Sequence, residues 1–473
     1  MVSTSAQTVQ PTITSSPPNQ TAMFMLLIAL VSLLGASVFF QPLLPIIAVA
    51  FVFGVGFFNA FSFRSLYFTL LCCFLIVSPA IPISERHFSK PISIGGAYPQ
   101  DFAMLFLFAV ALKEQLVQAR SSLTLRFSLT EKLFFFYSAT FFISFVVGFL
   151  NGNKFSFILG DLRDFLYLSL FWVYLWFMKT SDDVDAAFRL FVGVSFVFAL
   201  VGFLDDALLR NFARYNSGIS FLLVGATLMV VSMLLVADYS SRRKTLFFVL
   251  LVMLGGIFIT FTRGLYLGFF VGLIAILLAL GNKQSLRLLL SVGVLSAVVF
   301  FGSLALGFSI DKFVNLTTYR GSAVVGDLDI SSTERILEVI SVLNEFPLHP
   351  FFGAGAGGTV AVYKFGDVNT KEGIIDWWFI HNNYAQALHK TGLVGFIALM
   401  MLWLGAVFQG FKLFRQSVSP TKRMILLSSI GTLIAFLICS ITSPILTYIN
   451  TNFLNALLFA AIAFFEKQSA HAS

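Results

Sequence analysis

The sequence predicts an all-α polytopic membrane protein, and three observations predict it. Hydrophobic residues make up 58% of the 473 residues and charged residues only 11%, with a mean hydropathy of +0.91, far from the balance of a soluble domain. Apolar runs near the roughly 20 residues that cross a bilayer recur along the chain. One long polar stretch, from about Ser309 to Ile380, interrupts them before apolar runs resume.

Taken in order, the runs are Met23–Phe40, Leu43–Phe61, Ser65–Ile83, Tyr98–Leu112, Leu133–Leu150, Leu162–Met178, Ala187–Leu204, Gly218–Ala237, Leu246–Phe261, Leu265–Leu280, Leu286–Phe308, Leu393–Phe411, Met424–Ser443 and Thr447–Phe465. Tyr98–Leu112 is short, and the two runs meeting at Arg263 also fit one long helix, so about twelve to fourteen transmembrane helices are expected. Residues 1–20, rich in Ser, Thr, Gln and Pro, read as a disordered cytoplasmic tail. Residues 21–308 then form an N-terminal transmembrane bundle, 309–380 a soluble loop, 381–466 the C-terminal transmembrane helices and 467–473 a second short tail. The lack of an apolar run before Met23 argues against a cleaved signal peptide. Cys72, Cys73 and Cys439 all fall within spans, so neither a disulfide framework nor a zinc site is implied. The pI of about 9.4 is explained by basic loops beside membrane spans, without nucleic acid.

Those basic loops orient the chain. With the N-terminus in the cytoplasm, most of the 30 Lys and Arg fall on the cytoplasmic side, in groups such as Lys113, Arg120, Arg126 and Lys132, or Lys412, Arg415, Lys422 and Arg423. Short loops on the other side hold fewer: Arg86, Lys90, Lys154, Arg163, Arg210, Arg214 and Arg263. The positive-inside rule therefore puts the long loop outside the cytoplasm. No ATP or nicotinamide cofactor is available there, so a substrate has to arrive already activated.

Several outer arginines stand at the margins of spans. Arg163 lies in Gly160-Asp161-Leu162-Arg163-Asp164, Arg210 and Arg214 precede a span, and Arg263 sits in the turn Thr262-Arg263-Gly264. Arginine at this depth either anchors a helix by snorkelling or grips a lipid-linked phosphate through paired charge-assisted hydrogen bonds. Arg263 favours the second role, because a lone cation in the otherwise uncharged run from Leu246 to Gly281 is costly without a partner or a task.

Within the loop, Ser331-Ser332-Thr333-Glu334-Arg335 opens a helix, and Ile336, Val339, Ile340 and Leu343 give it an amphipathic face ending near Pro347. Arg335, in its first turn, suits either a phosphate contact or a solvated pairing with Glu338 or Asp329. The run from Pro350 to Gly358 contains GxGxxG without the strand, helix and acidic residue that a dinucleotide site needs. It reads as a turn for close packing or, alternatively, as a backbone nest for an anion.

His381 opens His381-Asn382-Asn383-Tyr384, where residues 381, 384 and 388 share a helical face and the chain returns to the membrane. An imidazole at that helix end is either bonded to a backbone carbonyl or placed to take a proton from a sugar hydroxyl, the positive helix end keeping it neutral. Metal catalysis finds little support, since the five histidines are scattered and Asp205-Asp206 is the nearest acidic pair. Arg86, His87 and Lys90 form one more outer basic cluster, read as a solvated loop.

The Thr262-Arg263-Gly264 turn, the Arg335 helix leading to Pro347, Phe352-Gly353-Ala354-Gly355, His381-Asn382-Asn383-Tyr384 and Gly392-Leu393-Val394-Gly395 follow one another in an order that resembles the O-antigen ligase and polymerase superfamily of bacterial envelope glycosyltransferases. The resemblance spans about Arg263 to Phe396, with Asp161-Leu162-Arg163 as a fainter echo. It implies a GT-C-like membrane glycosyltransferase of the bacterial inner membrane, facing the periplasm and working without metal, nucleotide sugar or other cofactor. The implied donor is an undecaprenyl-diphosphate-linked glycan. The implied base is His381, the implied diphosphate ligands are Arg263 and Arg335, and Arg163, Arg210 and Arg214 are further candidates. The acceptor is a lipid A-core sugar if the protein is a ligase, the reading preferred here, or another lipid-linked repeat if it is a polymerase of O-antigen or exopolysaccharide. A transporter of lipid-linked sugars is the rival from another class. It is disfavoured because the chain shows no internal repeat and its unusual charges gather on one face.

Overall fold

The computed structural model describes residues 127–209, 220–236, 243–260, 262–281, 330–365 and 373–472, with Met104 and Phe108 besides. The expected tail at 1–20, the runs before Leu129 (Met104 and Phe108 apart), the run Leu286–Phe308, Arg210, Arg214 and the basic cluster at Arg86 lie outside the described residues. Those residues are mostly helical. They comprise α1 Leu129–Leu150, α2 Phe155–Leu168, α3 Leu170–Phe177, α4 Ser181–Leu209, α5 Ser220–Val236, α6 Arg243–Ile259, α7 Arg263–Leu280, α8 Ile330–Glu345, α9 Asn383–Gln416, α10 Pro420–Cys439 and α11 Ile449–Ala472. Among them α1, α9 and α10 are long and apolar enough to cross a membrane, and α5 and residues Gly264–Leu280 are shorter apolar helices.

The helix starts follow local chemistry more than hydropathy. Ser128 caps α1 in a capping box with Glu131, so the helix begins ahead of the apolar run at Leu133. The Glu466 carboxylate, near the end of α11, also accepts from the free backbone N–H groups of Leu129 and Thr130. Asn382 caps α9 by accepting from Ala385 N, and Ser419 caps α10 with Pro420 in its first turn.

The expected single span Leu162–Met178 is corrected to α2 and α3, which start at Phe155 and meet at Ser169. Asp161, just ahead of the expected span, lies inside α2 and has a buried partner: its Oδ1 accepts from Lys390 Nζ at 2.5 Å. The two runs beside Arg263 are separate helices, with a break at Thr260–Thr262.

Helix α9 is interrupted at Gly392, whose φ of 64° and ψ of −168° are non-helical. The segment from Pro350 to Gly353 presses into the break. Pro350 O and Phe351 O accept from Leu393 N and Val394 N, while Ala354 N donates to His389 O. A side chain at 392 would meet Phe351 backbone at 2.3 Å, so only glycine fits. The carbonyl of Lys390 is taken up by Ser144 Oγ, leaving the break satisfied inside an apolar bundle.

Helices α7 and α10 approach closely through small residues. Added Cβ atoms would lie 2.2 Å from Cys439 Sγ at Gly268 and 2.6 Å from Gly431 O at Gly272, the small-xxx-small packing of membrane helices. Phenylalanines fill the wider interfaces, as in the stacked pairs Phe134–Phe171 at 4.2 Å and Phe141–Phe165 at 4.3 Å.

The loop also holds an element absent from the all-α expectation, an antiparallel hairpin of β1 Val360–Lys364 and β2 Gly373–Trp377 with Val362 opposite Ile375. The alternation of Val-Ala-Val-Tyr-Lys puts Val360, Val362 and Lys364 on its buried face. The expected helix at Ser331 is present as α8, but the face it buries is corrected. Val342, with Val339, packs against Val360, Val362 and Ile380, whereas Ile336, Ile340 and Leu343 are exposed. The glutamates decide the rotation. Glu334, Glu338 and Glu345 all turn toward the hairpin, binding Phe365 N, Lys364 Nζ and Ala361 N.

Candidate active site

Two ends of the helix set differ in charge. Lys132, Lys412, Arg415, Lys422, Arg423 and Lys467 collect where α1 and α10 begin and α9 and α11 finish, held by contacts such as Lys467 to Glu131 and Lys422 to Ser469. His381 lies at the opposite end, ahead of the Asn382 cap of α9.

Glu338 reaches His381 from α8. Its Oε1 is 2.9 Å and its Oε2 3.0 Å from the ring Nδ1, and Oε2 also accepts the His381 backbone N–H at 2.8 Å. The carboxylate is fully buried, and Lys364 Nζ donates to it from β1 at 2.6 Å. Lys364 is itself buried over the Trp377 ring and within 3.5 Å of Glu334. Burial alone raises the Glu338 carboxyl, but the hydrogen bonds and charge of His381 and the bond from Lys364 outweigh it and hold the group below its ordinary 4.5.

Glu338 therefore stays an anion that accepts from Nδ1–H, and in the neutral form of the ring the free lone pair falls on Nε2. The His381 side chain is 31% exposed, its ring edge-on to Phe379 at 5.2 Å. A fixed tautomer with a reachable Nε2 is the arrangement that proton abstraction needs.

This corrects two expectations. Glu338 pairs with Lys364 and His381, not with Arg335, and His381 does not share its surroundings with Tyr384, whose hydroxyl donates to Leu437 O at 2.5 Å. His381 precedes the helix cap, so helical spacing does not govern where its ring points.

Another candidate, Arg263, lies on a segment beside the turn that follows α10. Asn382 Nδ2 donates to Ile441 O, and Asn383 N donates to Ser440 O. Gly264 at the start of α7 packs on Thr442, and its carbonyl accepts from Cys439 Sγ. The chain segments bearing His381 and Arg263 thus dock on the same turn, residues 439–442. Arg335 lies on α8, about one helical turn ahead of Glu338. Arg163 lies on α2, partly buried, next to Asp164, whose carbonyl accepts from Asn452 on α11.

The glycine-rich turn is a packing device rather than a nest. Gly353, Gly355 and Gly357 have φ of 71°, 85° and 73°, and the turn's amides are consumed internally. Ala356 N donates to Ser144 O and Gly357 N to Asp161 Oδ2.

Residues 248–400 match the family model Wzy_C, described as O-antigen ligase. Over these residues the chain is similar to the O-antigen ligase family. No curated protein matches it. The match supports a membrane enzyme of the O-antigen ligase and polymerase type, as the resemblance implied. The matched segment runs from α6 into α9 and contains Arg263 and Arg335 as well as Glu338, Lys364 and His381, the three that the fold brings together. Arg163 and Arg214 fall outside it. Glu338 and Lys364 are the domain's residues that sequence reasoning missed. The available signal was the strand alternation that puts Lys364 on a buried face, with Glu334 and Glu338 one helical turn apart.

Proposed function

We propose that the protein transfers a glycan from an undecaprenyl-diphosphate-linked donor to a sugar hydroxyl, with lipid A-core as acceptor. The observation that carries this reading is the engagement of His381 Nδ1 by buried Glu338, which leaves Nε2 available. The acceptor O–H attacks the anomeric carbon, and its proton passes to Nε2. The bond from that carbon to the diphosphate oxygen breaks, and its electron pair leaves with the diphosphate. Direct displacement inverts the anomeric configuration.

Charge grows on the leaving diphosphate, so guanidinium groups there lower the barrier. Arg263 is assigned this role because its segment borders the turn that holds the His381 segment, and Arg335 because it shares α8 with Glu338, with Arg163, Arg210 and Arg214 as further ligands. Imidazole and guanidinium supply the base and the counter-charge, so the route needs no metal or cofactor. The basic cluster at the end of α1, α9, α10 and α11 remote from His381 supports a site on the periplasmic face of the inner membrane.

The test is incubation of purified protein in detergent with lipid-linked glycan, lipid A-core and a chelator. Glycan attached to lipid A-core is the expected product. Elongated lipid-linked chains would make the enzyme a polymerase, and the absence of any glycosidic product would overturn the reading.

A further inference from the structure

A pocket lies below the His381 end of α9, between α1, α2 and α11, with about 510 Å³ of empty space counting its open mouth. Three amide side chains line it, each nine-tenths or more buried and each with one polar atom that has no partner: Asn383 Nδ2, Gln386 Oε1 and Asn452 Oδ1. Other bonds fix two of these orientations. Asn383 Oδ1 accepts from Leu446 N, and Asn452 Nδ2 donates to Asp164 O and Leu446 O. A buried polar atom left unpaired is costly, and three around one space imply that something enters it.

The chemistry of the lining restricts what enters. The unpaired atoms are one donor and two acceptors, and a hydroxyl is the group that serves both. An anion would face two amide oxygens beside the carboxylates of Asp161 and Asp164. A cation would compete with Lys390, whose Nζ already occupies Asp161 Oδ1. The stacked rings of Phe141 and Phe165 supply an apolar wall, suited to the C–H face of a pyranose. Gln386 lies about one helical turn along α9 from Asn383, so an occupant sits next to the segment that bears His381.

We infer that this pocket is a subsite for the hydroxyl-bearing edge of one neutral sugar of the glycan substrate, gripped by Asn383, Gln386 and Asn452. The inference rests on the glycosyl-transfer reading above and adds a recognition element from α2, α9 and α11, partly outside the matched domain.

Binding of the methyl glycosides of glucose, galactose, rhamnose and N-acetylglucosamine is measured by saturation-transfer NMR on wild type, His381→Ala, Gln386→Met and Gln386→Ala. Transfer kinetics are run on the same preparations. At least one glycoside is expected to bind wild type and His381→Ala equally, and to bind the Gln386 variants about threefold to tenfold more weakly, the equivalent of one neutral hydrogen bond. The KM for glycan substrate should rise by a similar factor. A diazirine-bearing form of the bound glycoside, used on wild type, should label peptides holding residues 383–391 or 446–455, a readout independent of how the variants fold. Absence of glycoside binding, equal binding by folded Gln386 variants, or labelling confined to other peptides would overturn the subsite and leave a hydration site. Glycoside binding that follows Gln386 without any transfer by wild type would instead sink the transferase reading and leave the subsite standing.

Discussion

Glu338 holds His381 at two points, accepting the ring Nδ1–H at 2.9 Å and the backbone N–H at 2.8 Å. One buried carboxylate on α8 thereby sets both the tautomer of the imidazole and the path of the chain entering α9. Its removal should affect chemistry before it affects binding.

Glu338→Gln keeps the shape and loses the charge. Its kcat is expected to fall about 100-fold or more, within the range of general-base contributions, with KM changed by less than about threefold. Steady-state kinetics check this, and a variant whose KM rises while kcat holds would assign Glu338 to substrate binding instead.

Lys364→Met leaves the Glu338 carboxylate buried with one partner fewer. Breaking such a pair costs about 3–5 kcal/mol, so thermal unfolding in detergent should begin well below that of wild type. The double variant Glu338→Gln with Lys364→Met should recover part of that stability and none of the activity, since the stranded charge is gone but so is the anionic acceptor for Nδ1.

The depressed Glu338 carboxyl gives stability a definite pH dependence. A carboxyl lower in the folded chain than in the unfolded one contributes in full above its ordinary value and loses that contribution as pH falls through the folded value. Wild type should therefore lose stability steeply once pH drops below 4.5, the ordinary value for this group. Glu338→Gln should show a shallower decline over the same window, and melting curves of equal slope for the two would contradict the assignment.

Gly268 and Gly255 form a matched pair of tests. A side chain at Gly268 meets Cys439 Sγ at 2.2 Å and Ala435 O at 2.9 Å, whereas one at Gly255 meets nothing within 4 Å. Gly268→Val should force α7 from α10, lowering stability by roughly 1–3 kcal/mol through overpacking and reducing transfer, because α7 carries Arg263. Gly255→Ala should be neutral or stabilising by up to about 1 kcal/mol, as expected for alanine replacing glycine within a helix.

The helices and the outline of the site were legible in the sequence because both leave local marks. Apolar length marks α1, α9 and α10, and an unexplained cation in an apolar run marks Arg263. The start of α2 at Phe155 left no such mark, since Asp161 within it finds its buried partner, Lys390, 229 residues away. The buried face of α8 escaped for the same reason. Hydropathy favours burying Ile336 and Ile340, but the hairpin brings Lys364 and free backbone N–H groups to the glutamates, and buried carboxylates follow their partners. Glu338 enters the sequence reading only as a candidate partner of Arg335, because Lys364 and His381, 26 and 43 residues on, converge on it only in the fold. Pairings across such separations leave no periodic trace.

The most direct test of His381 as base is chemical rescue. Transfer of lipid-linked glycan is measured for wild type, His381→Ala and His381→Ala supplemented with free imidazole, with chelator present throughout. The account predicts that His381→Ala lowers kcat about 100-fold or more and that imidazole restores a measurable part of it, rising with the concentration of the neutral base. Full activity in His381→Ala, or loss of wild-type activity to the chelator alone, would contradict it.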